Sequence, residues 1–118
     1  MHSDRTRAAL IDIAENIDLA LHFVEGLDET SFCSDARSVY AVTRCLEIIS
    51  EASRRLQDAL KQRHPTIKWS DIAGAGNIYR HAYQNVAPLR VWETVQRALP
   101  PLREVIRAEM AAAPDPHS

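Results

Sequence analysis

The sequence predicts an all-α protein: an antiparallel bundle of four to five helices in a single domain. Three observations predict it. Apolar residues recur at intervals of three and four along two long stretches, the spacing of one helix face. No segment alternates apolar and polar residues as a half-buried strand would. The links between the periodic stretches are short, which favours antiparallel neighbours.

Each element follows from local chemistry. Ser3 is placed to cap a first helix in which Leu10, Ile13, Ile17, Leu21 and Val24 form one stripe ending at Gly26. Residues 27–34 read as a polar connection with a short turn. A second, longer helix is expected from Ser34 to Gln62, with Val42, Cys45, Leu46, Ile49, Leu56 and Leu60 facing inward. His64-Pro65 stops it, because proline disfavours a helical predecessor. Ser70 is then expected to cap a helix that carries "GAGNIYRHAYQNV", residues 74–86. A final pair of helices is split at Pro100-Pro101, with Val91, Trp92, Val95 and Leu99 before it and Leu102, Val105, Ile106 and Met110 after it. The domain spans residues 1–112, and residues 113–118 read as a frayed tail.

Composition narrows the function classes. The 118 residues are 46% hydrophobic and 25% charged, ordinary for a globular chain and unlike a disordered one. A formal net charge of −2 excludes wholesale electrostatic attraction to nucleic acid, so any phosphate contact must be local, and DNA is not an expected partner. Cys33 and Cys45 match no metal-ligand spacing, and Cys45 falls in an apolar helical run as a small core residue. No apolar run approaches the ~20 residues of a membrane span and the N-terminus has no signal-peptide core, so the expected compartment is the cytoplasm. No metal or other cofactor is expected.

The chemistry concentrates in residues 74–86. Two of the three glycines, Gly74 and Gly76, precede a polar cluster there, although glycine costs roughly 1 kcal/mol against alanine inside a helix. On a helix Asn77 and His81 lie four apart on one face, and Tyr79 with Tyr83 and Arg80 with Gln84 form further pairs. Histidine takes and returns a proton near neutral pH, and arginine offers a fork of donors suited to phosphate. These residues fit metal-independent RNA cleavage, in which a base takes the 2′-hydroxyl proton and donors stabilise charge growing on phosphorus. From spacing alone they fit more readily a hydrogen-bonded structural histidine, a solvated arginine, core tyrosines with wet tips, and glycines that let two helices pack closely. Glu47 and Glu51, four apart on the long helix, are supporting candidates. Glu51, beside the apolar row, is expected to be half-buried if it orients a base and exposed if it is a solvated charge. His2, His22, His64 and His117 form no cluster in the sequence and read as incidental. Trp69 and Trp92 read as core or interface anchors.

The runs "LEIISEA", "HPTIKWSDIAG" and "NIYRHAY", continued by "VWETVQRALPPLREVI", closely resemble the HepT-like branch of the HEPN families, over most of the chain. The resemblance implies a small all-helical homodimer. It implies the toxin of a two-gene pair, cleaving RNA without metal through a motif of Arg, often followed by Asn, then His-x-Tyr. It further implies a minimal nucleotidyltransferase antitoxin that silences the toxin by adding AMP to the tyrosine. Carried onto this sequence, the histidine is His81, the asparagine Asn77 and the modified tyrosine Tyr83. The motif arginine falls on Gly76, a departure from the family pattern, and Arg80 directly before His81 becomes the replacement donor. A second reading stays open: a weakened or inactive HEPN dimer that binds RNA, nucleotide or the transferase.

Overall fold

Ser3 opens the first helix as expected, its hydroxyl accepting the amide of Thr6 at 3.1 Å. A computed structural model of the chain describes residues 2–75 and 87–112. Every regular element among them is helical: α1 (Asp4–Phe23), α2 (Glu29–Cys33), α3 (Ala36–Arg54), α4 (Asp58–Gln62), α5 (Trp69–Gly74), α6 (Ala87–Arg97) and α7 (Leu99–Ala112). None is long and apolar enough to cross a membrane. Residues 113–118, expected as a frayed tail, lie outside the described residues.

The two long helices form the spine. Leu10, Ile13 and Ile17 of α1 meet Val42, Leu46 and Ile49 of α3, each at most 2% exposed. Burying such side chains contributes about 1.5–3 kcal/mol apiece. Asp12, near the middle of α1, pairs with Arg55 just past the end of α3 at 2.8 Å, which ties the end of α3 to α1. Helix α7 crosses to the other side of α1 and buries Leu99, Leu102 and Ile106. Its contacts run in opposed directions: Arg103 early in α7 reaches Asp18 late in α1, while Glu109 late in α7 reaches His2 ahead of α1. Cys45 is a buried core residue.

The polar connection after α1 holds more structure than a simple turn. Gly26 takes φ +75°, which only glycine adopts freely, and Asp28 and Ser31 then cap the short α2 reciprocally. That helix exists to deliver Phe32, fully buried, against Trp92 of α6 with ring centroids 5.4 Å apart.

Four sequence expectations are corrected. The long helix does not run through to Gln62. It stops at Arg54, and the chain turns over residues 55–57 before α4. Leu56 and Leu60 keep the same apolar phase and are both buried, so periodicity carries no mark of the break. The turn is held by tertiary contacts, Arg55 to Asp12 on one side and Arg63 to Glu109 on the other. Secondly, α5 begins at Trp69 with Lys68 at its cap, not at Ser70. The Trp69 indole donates to the carbonyls of Lys61 and His64 at 3.1 and 3.2 Å, which draws the helix start forward. Thirdly, Met110 is exposed and Glu109 takes the inward position, because three basic side chains satisfy its carboxylate there. Finally, His2 and His64 are not incidental, since both bind that carboxylate. The expected break at the proline pair is present: α6 ends at Arg97, and Pro100 and Pro101 sit in the first turn of α7, where their missing amides cost nothing.

Candidate functional site

The motif residues Gly76, Asn77, Arg80, His81 and Tyr83 lie outside the described residues. What the structure describes is their frame, α5 on one side and α6 on the other. Between these helices lies an open cleft of about 300 Å³. Arg90, Glu93 and Arg97 of α6 and Asp71, Ile72 and Ala75 in and just after α5 contribute to its walls. Arg90 and Arg97 are two helical turns apart on one face of α6, and both can meet an anion there.

The α5 side is anchored to α3. Ser50, 3% exposed, donates its hydroxyl to the carbonyl of Ala73. Arg54, one turn further along α3, donates from Nη2 to the same carbonyl at 2.8 Å. Sequence reasoning passed over both residues. The available signal was a serine in phase with the inward row of α3, but the carbonyl it serves is 23 positions away.

Gly74 follows directly, in helical conformation, and a Cβ built on it meets nothing within 4 Å among the described residues. Gly74→Ala is expected to raise folding stability by about 0.5–1 kcal/mol, through reduced freedom of the unfolded chain. A urea titration checks this, and a loss of stability would mean that an approach to this turn has been missed.

The supporting carboxylates separate. Glu47 is half-buried and pairs with Arg44 at 3.6 Å. Glu51 is exposed, the outcome expected of a solvated charge and not of a carboxylate that orients a base. The inward face of α3 is centred on Val42, Leu46 and Ile49 and leaves Glu51 on the solvent side.

The strongest electrostatic feature of the described residues lies elsewhere. Glu109, 6% exposed, accepts from His2 Nε2 at 2.9 Å, from Arg63 at 2.8 and 3.2 Å, and from His64 Nε2 at 2.5 Å. The Arg63 guanidinium beside it, helped by the two imidazoles and opposed by burial, holds its carboxyl down at about 2. This cluster ties the chain ahead of α1 and the α4–α5 link to α7. Among the described residues no three His, Cys, Asp or Glu side chains gather in a way that could hold a metal ion.

A bundle whose described elements are all helical, with the His-bearing segment between α5 and α6, is compatible with the HEPN class. The family model described as ribonuclease HepT-like matches residues 13–109, and the chain belongs to that family. It is 37% identical to a protein of Thermococcus cleftensis named "Probable ribonuclease HepT", over 80% of this chain and 86% of the relative. Two proteins of Methanocaldococcus jannaschii, each named "Putative RNase", are 32% and 30% identical, over 83% and 85% of this chain and 81% and 92% of theirs. No solved structure matches the chain. Family and relatives together support a ribonuclease function, with RNA as the substrate.

Proposed function

We propose that the protein is a metal-independent endoribonuclease, the toxin of a toxin–antitoxin pair, acting through His81 with Asn77 and Arg80. The observation that carries this reading is the match of the ribonuclease HepT-like family across residues 13–109, which encloses the whole Asn77–Tyr83 segment. His81 takes the proton of an RNA 2′-hydroxyl, whose oxygen attacks the adjacent phosphorus. The bond from phosphorus to the 5′-oxygen breaks, and a proton returns to that leaving oxygen. Arg80 supplies the positive charge that the family places at the position of Gly76, and Asn77 adds a donor toward the same phosphate. Arg90 and Arg97 offer donors to an RNA phosphate in the neighbouring cleft, beside the opposed charges of Asp71 and Glu93. Two copies of the chain form the working dimer in the cytoplasm.

The partner is a minimal nucleotidyltransferase. The Tyr83 oxygen attacks the α-phosphorus of ATP, pyrophosphate leaves, and the bound AMP repels RNA phosphate by charge. Two measurements test the reading. RNA cleavage by the purified protein is expected to persist in EDTA, and incubation with ATP and the cognate transferase is expected to add the mass of one or more AMP units. Tyr83→Phe should abolish the mass gain. Cleavage that stops on chelation overturns the metal-independent mechanism, and modification that persists in Tyr83→Phe moves the site elsewhere.

A further inference from the structure

Three parts of the chain that are far apart in sequence meet on one carboxylate. Glu109, late in α7, is reached by His2 from just ahead of α1 and by Arg63 and His64 from the link between α4 and α5. Its carboxyl is held down at about 2, so near neutral pH it is ionised and can only accept hydrogen bonds. Both imidazoles therefore present Nε2–H to it. Each of the two oxygens takes two N–H groups: Oε1 from His2 and Arg63 Nη2, Oε2 from Arg63 Nε and His64.

The three donors differ in how they shield that carboxylate. The Arg63 side chain is 52% exposed and that of His64 20%, whereas His2 is 6% exposed. The imidazole of His2 is thus its innermost cover. A hydrogen bond to an ionised group is stronger where water is kept out, because water screens the charge and competes for the acceptor. Lifting His2 opens Oε1, the oxygen that Arg63 Nη2 also uses. His2 is held at this point by its neighbour, since Ser3 is fixed as the cap of α1.

His64 carries the effect onward. Residues 63–68 belong to no helix, so local bonds hold them. The side chain of His64 sits on Glu109, while its carbonyl accepts from the Trp69 indole and from the amide of Ile67. Loosening the carboxylate end of His64 therefore loosens the seat of Trp69.

We propose that the residues ahead of α1 form a strap that gates local opening of the α4–α5 link: seated through His2, the strap keeps water from the carboxylate that also holds Arg63 and His64. The strap and the link open as one unit, apart from the α1–α3 spine.

The test uses the full-length protein and the variants His2→Ala, His2→Gln, Glu109→Gln and the double variant His2→Ala/Glu109→Gln, read by amide hydrogen exchange. The amides of Arg63, His64, Ile67 and Trp69 are each hydrogen-bonded within the link and report its opening. His2→Ala is expected to lower their protection about ten-fold, and that of Val42, Leu46 and Ile49 in the spine by less than about two-fold. His2→Gln, which keeps a donor near the position of Nε2, should retain most of the protection. In the Glu109→Gln background His2→Ala should add less than about two-fold, because the carboxylate that couples strap to link is gone. Link protection unchanged in His2→Ala overturns the proposal. An equal loss in link and spine also overturns it, because His2 would then act on global stability alone. A full ten-fold loss added in the Glu109→Gln background overturns the route through the carboxylate, and a glutamine variant as unprotected as the alanine one overturns the seat.

Discussion

Replacing Glu109 with alanine is expected to lower the thermal midpoint by roughly 10 °C near neutral pH. The carboxyl titrates at about 2 in the folded protein against an ordinary 4.5. That difference corresponds to about 3 kcal/mol of folding stability. The side chain of Arg63 is 52% exposed, so water recovers part of the loss when its partner is removed. His2 is only 7% exposed, however, and its Nδ1 already has no partner, so removing the carboxylate leaves it a buried polar group without compensation. The net cost expected for Glu109→Ala is about 2–3 kcal/mol. The sign with pH follows from the depressed value. The stabilisation is fully present above the unfolded value near 4.5 and is lost as pH falls toward about 2. Thermal melts between neutral pH and pH 3 check both statements. Glu109→Gln should show a shallower acid loss than the parent protein, and equal acid slopes in the two would remove Glu109 from the account.

The second large effect concerns His81 and Arg80. His81→Ala is expected to lower cleavage by ~10²–10⁴ and to leave RNA affinity nearly unchanged, because in the proposed mechanism the histidine handles a proton and not the phosphate charge. Arg80→Ala should lower cleavage by ~10²–10³. It should also weaken binding and reduce the salt dependence by about one phosphate contact. Gly76→Arg restores the residue the family places there and should raise activity where the backbone accepts a side chain. Cleavage rates and salt-dependent affinities of the three variants separate the roles. Loss of binding in His81→Ala with normal cleavage of the bound fraction would exchange the assignments.

The sequence by itself determined what is written in neighbouring residues. The Ser3 cap, the apolar row of α1, the inward positions of α3 up to Ile49 and the break at Pro100-Pro101 all depend on contacts within one or two turns. They could therefore be read from spacing and residue type. Asn77, Arg80, His81 and Tyr83 stand in a recognisable order in the sequence and lie outside the described residues. The tertiary structure decided what depends on residues far apart in the chain. Leu56 and Leu60 continue the phase of α3, so only the pairing of Arg55 with Asp12 and of Arg63 with Glu109 accounts for the turn between them. Glu109 reads as a surface charge until His2, 107 positions away, and Arg63 and His64, 46 and 45 away, are brought to it. Ser50 and Arg54 read as helix filler until folding sets the end of α5 against them. The physical reason is common to all three: a buried charge or a helix-end carbonyl is stable only when its partners are present, and periodicity carries no information about partners supplied by another helix.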